Sequence, residues 1–421
     1  MMWGVAYIMK RNLNIALLAI ITLLCCGCAA SKDASSEILY DTVADVLEDG
    51  AYSMERSSAT SEAETTQGME TEPTVCQVPL VYVSFSQHSG SASADDGTKL
   101  FISQYSVPQF VTENEDVTEW LQICVDNAAA KTADELKLVE KMAESIYENR
   151  EEGDPVHFYA YSFYSNVSTA RMDDTVVSVL QVNSVYSGGA HPNSAQQAYN
   201  LDLQNCIELT LSDVILPDGA DVLQEQVLTR LSERFGSLEN SGLYPDYQEV
   251  VKGCFDDDGL TSNWYFSENG LVIYFNCYDI APYAAGIIKV EIPYEMLEGV
   301  VKPVYLPESV QGSSGEIDVL DSVDGYKVLV GSGEGEMIFV GTDQTVYDIK
   351  LYKLTGWLTD DVPIVGAMVF AANRLAGGEA IGIPDLDDLG YLLSYSNGSG
   401  DVQKLVISAG GVREIANEIA E

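Results

Sequence analysis

Thr175-Val-Val-Ser-Val-Leu-Gln-Val-Asn-Ser-Val185 decides the fold. Apolar residues interleave with polar ones along it, as they do in an antiparallel strand with one face on a core and the other toward water. Working outward, Val156–Tyr164 and Ala195–Leu203 carry the same pattern. Two further strands are expected upstream, at Leu80–Phe85 just after Pro79 and at Leu100–Ser106. Between them and the central strands, Thr132 with Glu135 three places on has the spacing of a capping box. Leu136, Val139, Met142 and Ile146 then supply the buried stripe of a long helix. Downstream, helices are expected at Asp221–Phe235 and Asp246–Cys254, and strands at Trp264–Phe266, Gly270–Asn276 and Ile288–Ile292. The order of elements predicts an α+β fold in which helices pack on one face of a mainly antiparallel sheet.

Composition breaks at Ser309-Val-Gln-Gly-Ser-Ser-Gly315, the mark of a linker. Beyond it, short strands alternate with Gly and Asp turns, so a small mostly-β C-terminal domain is expected, ending in a helix at Val412–Ala420. The expected organisation is a leader over 1–27, a tether over 28–75, an α+β domain over 76–308 and the small β domain over 309–421. The tether is rich in Ser, Thr, Ala and acid, which reads as a solvated spacer, with one short amphipathic helix expected around Ile38–Leu47.

The 421 residues contain 46% hydrophobic and 20% charged side chains, ordinary values for globular protein. Charge is the unusual term: 21 Lys and Arg face 65 Asp and Glu, a net of -44. Such a field repels nucleic acid, anionic lipid and anionic wall polymers, and attracts cationic proteins.

Lys10 and Arg11, the apolar run Leu13–Leu24 and the small residues after it have the three parts of a secretory signal. The run is short for a bilayer-spanning helix, which needs roughly 20 residues. Leu24-Cys25-Cys26-Gly27-Cys28 resembles the bacterial lipobox, in which a small residue precedes a Cys that receives diacylglycerol. Cys28 is the expected lipid attachment site, with Cys26 as second choice. The departure is Cys25, which stands where the family prefers Leu. The resemblance implies an extracytoplasmic chain, lipid-anchored to the cell membrane. Cys76, Cys124, Cys206, Cys254 and Cys277 remain, an odd set without metal-ligand spacing. A bridge between Cys254 and Cys277 is left open.

Motifs that would carry chemistry fail on inspection. Phe255-Asp-Asp-Asp-Gly259 looks like the metal-binding turn of polysaccharide deacetylases, but those enzymes need downstream histidines, and His88, His157 and His191 all lie upstream. Gly331-Ser-Gly333-Glu-Gly335 is flanked by strands, whereas a phosphate-cradling loop must open a helix. Asp321–Gly325 is too short for a calcium loop. No Gly-x-Ser-x-Gly accompanies the histidines. The chain is therefore expected to be no enzyme and to need no cofactor or metal. A hydrolase built on His191 and nearby hydroxyls is the weakest of the competing readings.

Two segments stand out together: Tyr186-Ser-Gly-Gly-Ala-His191-Pro192-Asn193, and Gly270-Leu-Val-Ile-Tyr-Phe-Asn-Cys-Tyr-Asp-Ile-Ala-Pro-Tyr-Ala-Ala-Gly286 leading to Val290-Glu-Ile-Pro-Tyr294. They resemble the domain-of-unknown-function pair found in the extracytoplasmic part of the anti-sigma-V factor RsiV, a lysozyme receptor, and in the N-terminal region of a peptidoglycan deacetylase. The resemblance runs from about Cys76 to Pro307. It implies an α+β fold, a place at the cell wall and, from the receptor, a grip on a cationic protein such as lysozyme. Tyr186, His191, Tyr278, Asp279 and Tyr283 become the candidate binding residues, while Gly188, Gly189, Pro192, Pro282 and Gly286 become candidate turn-formers. The competing reading makes Tyr278–Gly286 a buried crossing that only sets the fold. A wall component is an alternative ligand, and a scaffold engaging a neighbouring envelope protein through the C-terminal β domain is an alternative function.

Overall fold

The computed structural model describes residues 79–150, 158–236, 242–255, 260–307, 315–330, 337–359, 362–384, 389–397, 401–409 and 411–415. The expected leader, tether, lipid-bearing Cys28 and Cys76 lie outside the described residues, as do His157, the acidic turn at 256–259 and the Gly-rich loop at 331–335.

β1 (Val81–Ser93) and β2 (Lys99–Thr112) form a long antiparallel ribbon, longer than the two strands expected there. α1 (Glu115–Glu148) comes next in the chain, and it corrects the capping-box reading. The N-cap is Asn114, whose Oδ1 accepts from the Asp116 N–H at 3.0 Å, with Glu115 and Asp116 facing the positive end of the helix dipole. Thr132 sits in mid-helix, where its hydroxyl donates to the Ala128 carbonyl at 3.1 Å. Ile146, expected in the buried stripe, is 46% exposed, whereas Val117, Leu121, Val125, Val139 and Ala143 are buried.

As the crossover between them, α1 lets β2 run parallel to β3 (Tyr161–Met172). β3 lies several residues later than expected because the alternation persists: every second residue from Tyr161 to Arg171 is buried. β4 (Val176–Tyr186) and β5 (Asn193–Asp202) fall where the alternating stretches placed them, within one or two residues. β6 (Ile207–Glu208) closes that edge. α2 (Leu211–Val214), α3 (Gly219–Phe235) and α4 (Tyr247–Gly253) precede β7 (Trp264–Phe266), β8 (Gly270–Phe275) and β9 (Ile288–Pro293), a three-stranded antiparallel sheet.

Four layers result. Val117, Leu121 and Val125 of α1 pack on Val83, Phe110, Val167, Val177 and Val179 across one face of the large sheet. On its other face, Leu180 and Ala198 meet Tyr265, Val272 and Tyr274 of the small sheet. The small sheet's reverse, with Trp264, Phe266, Leu271 and Ile273, packs on Leu223, Val227 and Leu231 of α3, spaced one turn apart and fully buried. At about 1.5–3 kcal/mol for each large apolar side chain removed from water, this inner core is a principal source of stability.

Beyond the expected linker come β10 (Asp318–Leu320), β11 (Lys327–Val328), β12 (Met337–Thr342), β13 (Val346–Thr359), β14 (Val362–Leu375), β15 (Glu379–Pro384), β16 (Tyr391–Ser396), β17 (Val402–Ser408) and β18 (Gly411–Glu414). β10, β12, β15 and β11 make a four-stranded sheet, while β14 pairs with β1 through Tyr82, Val83 and Ser84. Among the described residues the large sheet therefore has eleven strands, ordered β18-β17-β16-β13-β14-β1-β2-β3-β4-β5-β6, and strands from both sides of residue 309 share it. Residues Val78–Glu421 pack as one unit. The terminal helix expected from Val412 is corrected: Gly411–Glu414 is a strand on the edge of β17, and residues 416–421 lie outside the described residues. No disulfide joins Cys124, Cys206, Cys254 or Cys277, so the Cys254 to Cys277 bridge is not formed.

Candidate functional site

The turn after β4 is built for a tight reversal. Gly188 and Gly189 both take positive φ, 95° and 96°, where a side chain would be strained. The Tyr186 hydroxyl donates to the Gly189 carbonyl at 3.2 Å, and its ring meets Tyr161 edge-on. Tyr186 thus clamps the turn from behind. Pro192 stiffens the exit, and the His191 Nδ1 donates to the Pro192 carbonyl at 2.8 Å. In the neutral ring that bond selects the Nδ1–H tautomer, in which Nε2 is an acceptor.

The second segment leaves β8 through Asn276, whose side chain does what a strand would do. Its Oδ1 accepts from the Gln196 N–H at 2.7 Å and its Nδ2 donates to the Gln196 carbonyl at 3.2 Å, fastening the segment to β5. The Asn276 N–H donates to Asp279 Oδ2 at 2.7 Å and the Asp279 N–H to the Asn276 carbonyl at 3.1 Å, closing a turn that holds Tyr278 at φ 72°. Burial pushes the Asp279 carboxyl up from the usual carboxylate range, opposed by the Asn276 amide. Burial likewise raises the Cys277 thiol. Pro282 then opens a single 3-10 turn, Tyr283–Ala285, ended by Gly286 at φ 67°.

These two folded segments meet. The His191 and Tyr283 rings stack with centroids 3.9 Å apart at 16°, Tyr278 tilts onto Tyr283 at 5.9 Å, and the Tyr278 hydroxyl reaches His191 Nε2 at 3.4 Å. Tyr278 is 44% exposed, so the segment is no buried crossing. Of the five candidate binding residues, His191, Tyr278 and Tyr283 form one group, whereas Tyr186 and Asp279 hold the turns that carry it. Asn276 is the positioning residue that sequence reasoning missed; its signal was an amide ending an otherwise apolar strand. Among the described residues no group of three His, Cys, Asp or Glu side chains is placed to hold a metal.

Residues 212–295 match a family model described as a protein of unknown function, DUF3298. The match takes in α3, α4, the small sheet, Tyr278 and Tyr283, and begins after the His191 turn. Two solved structures are similar. A DUF3298 family member from Bacteroides fragilis has 19% identity and a TM-score of 0.40, covering 52% of this chain and 93% of its own. A DUF3298 family protein from Pseudomonas aeruginosa PAO1 has 18% identity and a TM-score of 0.39, covering 54% of this chain and 96% of its own. No curated protein matches the chain.

Proposed function

We propose that this chain, in which residues 212–295 match DUF3298, is a cell-envelope lipoprotein anchored through Cys28 that works by binding. Its partner is a cationic wall-active protein, with lysozyme as the one to test. One observation carries the reading: His191, Tyr278 and Tyr283, brought from two distant segments, form a stacked and partly exposed aromatic group. Tyrosines supply large contact area with few torsions to freeze, which is why they recur as interface anchors. The excess of 65 acids over 21 bases favours a basic partner, raising the encounter rate more than the final affinity.

Calorimetry of the full chain with lysozyme at physiological salt tests this. The expected result is a complex, slower lysozyme turnover, and an affinity reduced about tenfold or more by Tyr283→Ala, the loss of one interface anchor. No heat of binding together with undiminished lysozyme activity would remove this partner.

A further inference from the structure

β1 has neighbours on both sides only as far as Ser84. β14 pairs with Tyr82, Val83 and Ser84, and from Phe85 to Ser93 β1 keeps β2 on one side, with no described strand on the other. Residues 86–91 are all exposed. An edge of this kind offers a row of N–H and C=O groups to a further strand, and natural edges are guarded by charge, proline or brevity. Phe85-Ser-Gln-His-Ser-Gly-Ser-Ala-Ser93 contains no acid, Lys, Arg or Pro.

A notch lies against this edge. Gly90 stands opposite Ser103, His88 opposite Tyr105 and Ala92 opposite Phe101, and opposed residues share a face. It is the face that α1 covers, because Phe101 clusters with Val139 and Ala143. His88 stacks on Tyr105 with centroids 5.1 Å apart, and beside that stack Gly90 puts no side chain over Ser103. The gap is a cavity of about 220 Å³, open to solvent, lined by the ribbon's Phe101, Ser103 and Tyr105 and by Leu136 and Glu140 of α1. Glu140 makes no hydrogen bond or ion pair with any described residue.

We propose that this strip docks an extended, basic peptide segment of a partner protein. The segment adds as one more strand along Phe85–Ser93 and sends one Lys or Arg side chain into the notch. Main-chain bonds at a sheet edge give affinity and a pocket for a single side chain gives specificity. The aliphatic stem would lie on Phe101 and Leu136, and the cationic head would meet the Glu140 carboxylate and the Ser103 hydroxyl. Net charge favours a basic segment over an acidic one. Lys99, whose ammonium donates to Ser91 Oγ at 3.3 Å, stands at the hairpin end and discourages a second basic side chain there. The site depends neither on the anchor nor on the His191 group.

The test uses the full chain and two blocked nonapeptides of alternating threonine and valine, one with a central lysine and one with a central norleucine. The lysine peptide should bind at least about tenfold more tightly, the size of one desolvated charge pair. Glu140→Gln should reduce it to the norleucine level. Gly90→Val should do the same by filling the notch; its Cβ would stand 2.9 Å from the Ser103 hydroxyl, which must rotate aside, so the unfolding midpoint is measured alongside and a lowered one leaves Glu140→Gln to decide. Tyr283→Ala should change neither peptide, which separates this site from the His191 group. Equal binding of the two peptides, binding that survives Glu140→Gln, no binding at all, or a chain that is already a dimer through this edge would each overturn the proposal.

Discussion

Where the small sheet lies on the large one, Ser178, Asn200 and Arg171 are buried with their polar groups bonded, although the Gln196 side-chain amide on the same face has no partner among the described residues; along the outer edge of β1 polar groups stand in the open. Under the small sheet, the Ser178 hydroxyl donates to Asn200 Oδ1 at 2.7 Å and Asn200 Nδ2 donates to the Trp264 carbonyl at 3.0 Å. The Phe266 N–H reaches Ser178 Oγ at 3.2 Å. Arg171, only 5% exposed, gathers more: its Nε donates to Asp173 Oδ2 at 2.6 Å, and its Nη1 to the Tyr305 carbonyl at 2.6 Å and the Tyr294 hydroxyl at 3.1 Å. Its guanidinium also stands over the Phe266 ring, 5.1 Å from the centroid. The contrast teaches that polarity inside this fold is a device for registering two sheets, while polarity at its rim is available to partners.

Breaking the inner side of that contrast should have the largest effect. Arg171→Leu takes the donor from Asp173 Oδ2 and from the Tyr305 carbonyl, and removing one member of a buried charged set costs about 3–5 kcal/mol, the lower end being expected because Asp173 Oδ1 keeps the Thr175 and Val176 N–H groups and its side chain is partly exposed. Urea unfolding of the variant should show a loss of that size. A loss under about 1 kcal/mol would mean that the arginine fills space and does not join the layers.

Asn200→Ala strikes the same interface through a neutral group, so its effect should be smaller. It strands the Trp264 carbonyl and costs about 1–3 kcal/mol, with the unfolding slope unchanged. Neither variant should alter peptide binding at the β1 edge. Coupled losses there would erase the distinction between the two regions.

The parts of this fold that were legible in the sequence are those governed by local pattern. Alternation located β4 and β5 within one or two residues, but the face expected toward water is covered too: Val176–Gln181 of β4 are buried throughout, with α1 on one face and the small sheet on the other. Thr132 misled because the Thr-x-x-Glu spacing also arises in mid-helix, where the hydroxyl bonds back to Ala128 and Glu135 accepts from Asn183 Nδ2 at 3.0 Å. Burial raises the Glu135 carboxyl, a tertiary effect that no capping pattern contains. At the C-terminus, pairing with β17 makes a strand where a helix was expected from Val412. The residues of the candidate site were legible as motifs, but their meeting was not. It depends on the Asn276 amide bonding to the backbone of Gln196, a contact across a gap in sequence that periodicity cannot register. The open β1 edge was hidden likewise, because nothing in residues 85–93 says that β14 diverges after Ser84.

The smallest expected effect sharpens the boundary between the two regions. Asp348 of β13 stands among Glu268, Lys350, Asp173 and Arg171, at the margin of the buried set. Desolvation first, then the Glu268 carboxylate, pushes its carboxyl up to about 6, with Lys350 opposing. A folded-state value above the unfolded one means that the ionised form is disfavoured by folding. Its contribution to stability is thus whole below the ordinary carboxylate value and fades as pH rises through about 6. Asp348→Asn should therefore match the parent at low pH and exceed it at neutral pH. Asp348 has φ 51°, a conformation asparagine also tolerates, so the substitution isolates charge from backbone strain. The residue as a whole is exposed, and solvent screening keeps the gain below about 1 kcal/mol. Urea midpoints measured across this pH range decide the matter: a difference that opens with rising pH places Asp348 on the buried side of the boundary, and a difference constant with pH places it on the open one.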